Sequence, residues 1–275
     1  MTSSTPSPSE SLVVVTGASS GIGLELALCA ARDGHPVLLV ARGREALEVA
    51  ADAAIDAGSP TAHVVSADLS TSAGIDAVVT EVEKLGMPVA ALVNNAGFGG
   101  WGPFGGQDVE RSTQMVDLNC RAVVELSRRL LDRLRDARGG VLTVASTAAF
   151  QPGPGMAVYH ASKAFALYFS LALRDELKAE GVRVTALCPG PVPTEFGASA
   201  GVHAEVEDSL RVKLSSQPAD KVARMAWRGL RKNQAVVMPG TVNRLGALGA
   251  KLAPLTTSTR LARTALGAMA ASAKA

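Results

Sequence analysis

The amino-acid sequence predicts an α/β protein with one doubly wound domain, in which helices cover both faces of a seven-stranded, mostly parallel sheet. Three observations support this prediction. Segments with strand-like and helix-like hydrophobic patterns alternate along the chain. Most of the strand-like segments are apolar at every position, which is typical of strands buried on both faces. The 275 residues, 47% of them hydrophobic, suffice for one large core.

The individual elements follow from local patterns. Short runs rich in valine, leucine and alanine, bounded by glycine or polar residues, predict strands over 12–16, 36–40, 63–67, 89–93, 141–145, 182–187 and 235–238. Helical periodicity between these runs predicts helices over 24–34, from 44 to about 58, and over 76–85, 108–138 and 157–178. The segment 108–138 is expected to be one long helix with a polar start and a basic end.

Three regions are expected: a disordered tail over 1–11, the dinucleotide-binding and catalytic domain over 12–240, and a helical extension over 241–275. The start of the chain has no apolar core of a signal peptide, and no segment has the length of an uncharged membrane span. Net charge is only +2, which gives no reason to expect nucleic acid as a partner. These observations predict a cytoplasmic protein.

The three cysteines are Cys29, Cys120 and Cys188, and each falls within an apolar segment. Their spacing does not match that of metal ligands, so no metal site is expected. Buried thiols in a reducing compartment are the simplest interpretation.

A glycine-rich segment joins the first predicted strand to the first predicted helix. It reads Thr16-Gly17-x-x-x-Gly21-x-Gly23, where glycines let the backbone approach a pyrophosphate and a helix N-terminus favours its negative charge. An ordinary strand-to-helix turn would also accept these glycines. In the Rossmann-type fold predicted here, the cofactor contacts are expected from Gly17, Ser19, Ser20, Gly21, Ile22 and Gly23.

The end of the second strand indicates which dinucleotide is bound. A carboxylate there would bind the ribose hydroxyl of NAD, but this chain has Ala41 followed by Arg42. A guanidinium suits a 2′-phosphate, so the sequence favours NADP, in the reduced form NADPH, over NAD. Asp68 and Leu69 follow the third strand, where they would contact adenine, unless Asp68 only caps a helix.

A serine, a tyrosine and a lysine form the predicted catalytic group. Ser146 ends the fifth strand, and Tyr159 and Lys163 are one helical turn apart in the next helix. An ammonium near a phenol is expected to lower the tyrosine pKa from about 10, which makes the phenol useful in acid–base catalysis near neutral pH. The neighbouring His160 is expected at the surface or at an interface.

Together these segments resemble the short-chain dehydrogenase/reductase family, with matches in family order from about residue 12 to 240. The matching residues are Thr16, Gly17, Gly21, Gly23, Asp68, Asn94, Asn95, Ala96, Gly97, Asn119, Ser146, Tyr159, Lys163, Pro189 and Gly190. The segments around Tyr159 and Pro189 are also similar to those of bacterial NADP-dependent keto-acyl and mycolate-type reductases. Each motif is modest alone, but the ordered set is specific.

The resemblance implies a role for each catalytic residue. Tyr159 would be the general acid/base, and Lys163 would lower its pKa and bind the nicotinamide ribose. Ser146 would orient the substrate oxygen, and Asn119 would hold a water in a proton relay. Capping by Ser146, a purely structural amide at Asn119 and mere packing of Tyr159 remain the alternatives.

The resemblance also implies the remaining cofactor contacts. Asn95, Ala96 and Gly97 would pack beside the cofactor, and Pro189 and Gly190 would lie against the nicotinamide. In the same loop, Val192 would reach the carboxamide and Thr194 the phosphates, although the extra prolines of the segment PGPVPTEF stiffen it.

Taken together, the sequence predicts an NADP(H)-dependent oxidoreductase for a small carbonyl or alcohol substrate, with ketone reduction favoured. Aromatic residues in 98–104, Phe150 and Phe196 are expected to line an apolar pocket beside a lid within 193–215. The resemblance implies a homodimer or homotetramer formed through the helices of Asn119 and Tyr159. The basic, amphipathic tail is expected to cover the core or a subunit interface, with contact to an anionic membrane surface as the less favoured alternative.

Other functions remain open at this point. A non-catalytic NADP-binding sensor or scaffold would not need Ser146, Tyr159 and Lys163 together. An epimerase or dehydratase of related fold tends to have a larger substrate domain than this tail provides. An NAD-dependent alcohol dehydrogenase is disfavoured by Arg42.

Overall fold

The computed structural model describes residues 6–194, 196, 214–254, 256–260, 262 and 263. Within these residues, seven strands form one sheet in the order β3-β2-β1-β4-β5-β6-β7, and every pair of neighbouring strands is parallel. This confirms the doubly wound fold and makes the sheet wholly parallel rather than mostly parallel. The strand order reverses between β1 and β4, which is where open α/β sheets bind their ligands.

The strands are β1 Leu12–Thr16, β2 Val37–Ala41, β3 Ala62–Ser66, β4 Val89–Asn94, β5 Gly140–Val144, β6 Arg183–Leu187 and β7 Val236–Val237. The helices are α1 Gly21–Arg32, α2 Arg44–Asp56, α3 Ser72–Leu85, α4 Val109–Val116, α5 Ala122–Arg129, α6 Leu131–Asp136, α7 Ala157–Glu176, α8 Ala219–Arg231 and α9 Thr241–Leu252. The bounds of β1 are those predicted, and the other strand bounds differ from the predicted ones by at most one residue at either end.

The core consists of two layers, one on each face of the sheet. Alternate residues of a strand point to opposite faces, so β1 contributes Val13 and Val15 to one layer and Leu12 and Val14 to the other. Helices α1, α2 and α8 cover the first face, and α3, α5, α6 and α7 cover the second. Burial on both faces explains why the strand sequences are continuously apolar.

The prediction of a single helix over 108–138 is wrong. The structure has α4, a π-helical turn over Asp117–Arg121, α5, a break at Leu130 and α6. The π turn contains Asn119, whose side chain is bonded to two other parts of the chain. Such turns insert one residue into a helix and are frequent at functional sites.

The described chain continues beyond the sheet at both ends. Residues Pro8–Glu10 form a short 3-10 turn before β1, while residues 1–5 of the expected disordered tail lie outside the described residues. At the other end α9 contacts the 3-10 turn Thr147–Phe150 after β5. None of the helices in the described part of the chain combines the length and apolar character needed to span a bilayer.

Candidate active site

The expected site residues meet at the carboxyl ends of the parallel strands. The glycine-rich loop follows β1, Asn95 follows β4, Ser146 follows β5 and Pro189 follows β6. The parallel topology brings these loops to one edge although they are far apart in sequence.

The glycine-rich loop is closely packed and needs its glycines. Gly17 and Gly21 have φ values of +63° and +56°, a region that residues with a Cβ rarely adopt. A Cβ at Gly23 would lie 2.0 Å from the Gly17 carbonyl oxygen, and one at Gly21 would lie 3.0 Å from the Thr194 methyl group. Helix α1 begins at Gly21, so the N–H groups of its first turn favour an anion beside the loop.

Thr16 and Asn95 hold the glycine-rich loop in place. The sequence did not predict a supporting role for the Thr16 hydroxyl. The Thr16 hydroxyl accepts hydrogen bonds from the N–H groups of Asn95 at 2.9 Å and Ala96 at 3.0 Å. The Asn95 amide donates back to the carbonyls of Thr16 at 2.8 Å and Gly17 at 3.0 Å. Asn95 therefore joins the ends of β1 and β4, and Ala96 lies beside it.

At the other end of this edge, Arg42 follows β2 and is exposed, while Asp68 and Leu69 follow β3. Burial works against the Asp68 carboxylate, but hydrogen bonds from Ser70 and the charge of Arg42 lower its pKa below the usual value. The Asp68 Oδ1 accepts these hydrogen bonds from the Ser70 N–H at 2.9 Å and from the Ser70 hydroxyl at 2.7 Å. Leu69 is buried and packs into the core.

The structure brings Ser146, Tyr159 and Lys163 together. Tyr159 and Lys163 are both buried in α7, with the Lys163 ammonium 5.9 Å from the centre of the Tyr159 ring. The Ser146 side chain is hydrogen-bonded to Tyr159 and also accepts a 3.1 Å hydrogen bond from the Ala148 N–H. Ser146 thus caps the following turn, as its alternative interpretation expected, and also faces the phenol.

The expectation that Lys163 lowers the Tyr159 pKa is wrong for the protein by itself. Burial raises the pKa of Tyr159 to about 12, and the hydrogen bond with Ser146 offsets only part of this effect. Burial also lowers the pKa of Lys163 to about 8. The reason is that both groups are removed from water, which disfavours the phenolate and the ammonium alike.

Asn119 lies next to Lys163, at the point where Gly97 passes both residues. A Cβ at Gly97 would lie 2.8 Å from Asn119 Oδ1 and 3.4 Å from Lys163 Nζ. Asn119 Oδ1 accepts from the Phe98 N–H at 3.2 Å, and its Nδ2 donates to the Phe98 carbonyl and to Ser162 Oγ, both at 3.0 Å. Ser162, which sequence reasoning missed, donates in turn to the Tyr159 carbonyl at 2.8 Å.

The loop after β6 is fixed by backbone contacts. The Thr147 N–H donates to the Pro189 carbonyl at 2.9 Å, which joins this loop to the Ser146 turn. A Cβ at Gly190 would lie 2.4 Å from the amide nitrogen of Asn243 in α9. Thr194 donates a long hydrogen bond of 3.4 Å to the Val192 carbonyl.

His160 was expected at the surface or at an interface, and this expectation is wrong because the ring is buried inside the chain. Its Nδ1 lies 2.8 Å from the Gln151 carbonyl oxygen, and a Cβ at Gly153 would lie only 2.2 Å from its ring. Burial lowers the pKa of His160 below its usual value. The His160 ring therefore holds the segment after Ser146 against α7. The sequence could not predict this, because the path of residues 151–153 is visible only in the structure.

Apolar side chains surround the Tyr159 ring. Phe98, Trp101 and Phe196 pack with Met115 and Met156 around it, and the Phe196 ring centre is 5.5 Å from that of Tyr159. Phe150 packs instead against the layer of α7 and β6, and Phe104 is exposed. Of the expected lid, residues 195 and 197–213 lie outside the described residues.

The chain is similar to known oxidoreductases. Probable oxidoreductase EphD of Mycobacterium tuberculosis is 34% identical over 217 residues, which cover 78% of this chain and 36% of that protein. This chain therefore spans about a third of the length of that relative.

Two solved structures match most of the fold. A short-chain dehydrogenase from Sphingobium yanoikuyae in complex with NADPH has a TM-score of 0.76 and 31% identity, covering 87% of this chain and 92% of that one. The 3-ketoacyl-(acyl-carrier-protein) reductase from Brucella melitensis complexed with NADH has a TM-score of 0.73 and 28% identity, covering 84% and 96%. Both neighbours carry a nicotinamide dinucleotide.

A family profile described as short chain dehydrogenase matches residues 11–204, which include the glycine-rich loop, Asn119, Ser146, Tyr159 and Lys163. The chain therefore belongs to the short-chain dehydrogenase/reductase family.

Proposed function

We propose that this chain is an NADP(H)-dependent oxidoreductase that reduces a carbonyl group to an alcohol, with Tyr159 as the proton donor. The observation that carries the proposal is the meeting of Ser146, Tyr159 and Lys163 beside Gly97 at the carboxyl edge of the sheet. The family membership and the two dinucleotide-bound structures support a nicotinamide cofactor.

The residues present fit such a cofactor. At Gly17 and Gly23 neighbouring atoms leave no room for a Cβ, and the loop leads directly into the first turn of α1. A pyrophosphate site needs such a loop without side chains next to a helix N-terminus. When bound, the cofactor supplies the hydride. Exposed Arg42 would bind the 2′-phosphate. Asp68, whose Oδ1 accepts hydrogen bonds from the N–H and the hydroxyl of Ser70, would contact the adenine. Gly97 and Gly190 would let the chain approach the nicotinamide closely.

The ionisation of the site suits reduction rather than oxidation. A pKa of about 12 keeps the Tyr159 hydroxyl protonated at neutral pH, so the residue is ready to donate a proton to a carbonyl oxygen. Ser146 would hold that oxygen as negative charge develops on it. The Lys163 ammonium would then stabilise the phenolate that remains on Tyr159.

Resupply of the proton would pass through the neighbourhood of Asn119. Its side-chain amide already bonds to Phe98 and Ser162, which fixes the strand-end loop beside Lys163. We therefore assign the expected contact with a relay water to the Asn119 backbone carbonyl, in the π turn, rather than to its side chain.

The packing around Tyr159 supports an apolar substrate. Phe98, Trp101 and Phe196 present carbon surface next to the phenol, with Met115 and Met156 beneath them. A ketone with bulky or long apolar substituents would replace water along this surface, a favourable change of about 25 cal/mol for each Å² buried.

The helices of Asn119 and Tyr159 also support the expected dimer or tetramer. Phe165 and Tyr168 on α7 and Val116 and Val124 along α4 and α5 are exposed in the single chain. An exposed set of this kind on adjacent helices is typical of subunit interfaces.

NADPH consumption tests the proposal when it is measured across ketones of rising chain length. The variant Tyr159→Phe should lose activity by about 100-fold or more, because it removes only the acidic proton, and should keep its affinity for NADPH. The chain has two tyrosines, so Tyr168→Phe on the same helix is a matched control that should keep full activity. Equal rates for the wild type and Tyr159→Phe would refute this mechanism.

A further inference from the structure

Charge is distributed very unevenly along this chain. Residues 1–220 contain 17 lysines and arginines and all 25 acidic residues, whereas residues 221–275 contain ten lysines and arginines and no acidic residue. The net charge of +2 therefore conceals an acidic body and a strongly basic C-terminal part. Five of the ten cations lie in or at the end of α8, where Arg224 pairs with Asp220 and Arg231 with Asp33. The other five follow between Arg244 and Lys274, in a segment without acidic residues, and this charge pattern favours contact with a polyanion.

Helix α9, within this basic part, has an exposed apolar stripe. Leu245, Leu248 and Leu252 are spaced by three and four residues, which places them on one helical face, and they are 70%, 54% and 76% exposed. Val242 extends the stripe toward the start of the helix and is also exposed. Leucines this exposed do not cover the core of the chain, so this face of α9 is open to another surface. The expectation that the tail covers the core or a subunit interface stays a prediction.

The charges of α9 border the stripe. Arg244 and Lys251 are the charged residues of this helix, both are exposed and both are cationic. Arg244 Nε donates to the Met238 carbonyl at 2.8 Å, which fixes its position while its charge remains at the surface. An apolar stripe with cations along its edge is the pattern of a helix that lies in a membrane interface.

The opposite face of α9 attaches the stripe firmly to the domain. Asn243 and Ala247 are buried on that face. Asn243 Nδ2 donates to the carbonyls of Ser215 at 2.9 Å and Pro239 at 2.8 Å. Because Asn243 also lies beside Gly190 and α9 contacts the turn Thr147–Phe150 after Ser146, a surface bound by the leucines would be held close to the active-site edge.

A second copy of the chain is a poorer partner for this face. A two-fold symmetric contact places the same patch on both sides of an interface, so Arg244 and Lys251 would face cations of the other copy. Helix α9 carries no acidic residue that could compensate them. Anionic lipid headgroups neutralise these cations, and the acyl-chain boundary accepts the leucines.

We propose that α9 binds the chain to the surface of an anionic membrane, with Leu245, Leu248 and Leu252 inserted at the headgroup boundary. The active-site edge then lies near the lipid surface. An apolar substrate dissolved in the membrane would have a short path to it.

Sedimentation of the full-length protein with lipid vesicles tests the proposal. Vesicles of phosphatidylcholine with about 30% phosphatidylglycerol should bind the protein, and vesicles of phosphatidylcholine alone should bind it at least about tenfold less. Binding should weaken between about 0.05 M and about 0.5 M NaCl because salt screens the headgroups. The variant Leu245→Ser/Leu248→Ser/Leu252→Ser should lose about tenfold or more of the binding, because each serine removes apolar surface.

A matched control replaces exposed apolar residues of another helix. The variant Val49→Ser/Ile55→Ser in α2 should bind vesicles like the wild type. Thermal unfolding and catalytic activity verify that both variants fold. Equal binding by the triple variant and the wild type would overturn the proposal. A second pair of results would also overturn it: the wild type does not bind anionic vesicles, and light scattering shows a smaller assembly for the triple variant than for the wild type. Helix α9 would then be a subunit interface.

Discussion

The Lys163 ammonium donates a 2.8 Å hydrogen bond to the carbonyl oxygen of Val144, the last residue of β5. Ser146 follows two residues later, so the strand that positions the serine also positions the lysine. Because Tyr159 is one turn before Lys163 in α7, the three groups share one rigid support. Such a support holds reacting groups in a fixed geometry without loss of entropy during the reaction.

The first prediction concerns the pH dependence of ketone reduction. Lys163 has a lowered pKa of about 8, so its ammonium persists below pH 8 and is lost as the pH rises through that value. Tyr159, with a pKa of about 12, remains protonated throughout. The value of kcat/KM should therefore be constant at lower pH and decline above about pH 8, because the phenolate left after proton donation loses its countercharge.

The variant Lys163→Met serves as the control for this profile. It should be much slower than the wild type at pH 7 and should show no decline near pH 8. A wild-type profile that instead rises through pH 8 would indicate that deprotonation of another group limits the rate.

The second prediction concerns the choice of cofactor. Arg42→Ala should raise the KM for NADPH by about tenfold to 100-fold, the range expected for a lost charge-assisted hydrogen bond, and should leave the KM for NADH almost unchanged. Arg44→Ala is the matched control because Arg44 pairs with Glu48 at 3.0 Å within α2. Equal effects of both variants would remove Arg42 from the phosphate site.

The third prediction compares two helical glycines. Glycine to alanine in a helix normally stabilises by about 0.5–1 kcal/mol. At Gly23 the new Cβ would lie 2.0 Å from the Gly17 carbonyl, so the clash should outweigh this gain and the variant should lose stability and NADPH binding. At Gly246 in α9 a Cβ would meet no described atom within 4 Å, and Gly246→Ala should raise the unfolding temperature. Thermal unfolding with and without NADPH measures both effects.

The fourth prediction addresses oligomerisation. Tyr168 is 68% exposed on α7 beside Phe165, and Tyr168→Glu should convert a dimer or tetramer to smaller species because it would bury an unpaired charge. Light scattering after gel filtration gives the mass. Val49→Glu on α2, where Val49 is 70% exposed, should leave the mass unchanged. A wild type that is already monomeric would contradict the expected assembly.

The sheet could be predicted because each of its strands has a recognisable local sequence pattern. Runs such as Leu12–Thr16 are apolar throughout and are bounded by glycine or polar residues, a pattern that belongs to strands buried on both faces. The strand ends then place Ser146 and Asn95 at one edge without further information, since the carboxyl ends of parallel strands lie together.

Other features depend on contacts that no local pattern contains. The π turn at Asn119 coincides with bonds to Phe98 and Ser162, which come from distant segments. The helical periodicity around His160 indicates a surface residue, but the side chain is buried because residues 151–153 fold over it. The ionisation of Tyr159 depends on its loss of water contact, and this could be known only from the packed structure.

The hydrogen bonds that Thr16 accepts also bear on how the protein is made. Its two donors, Asn95 and Ala96, are 79 and 80 residues farther along the chain. Contacts of such long sequence separation are slow to form, because a long loop must be closed first. As the chain leaves the ribosome, the glycine-rich loop is therefore synthesised well before the residues that support it, and we expect it to take its final shape only after β4 has joined β1.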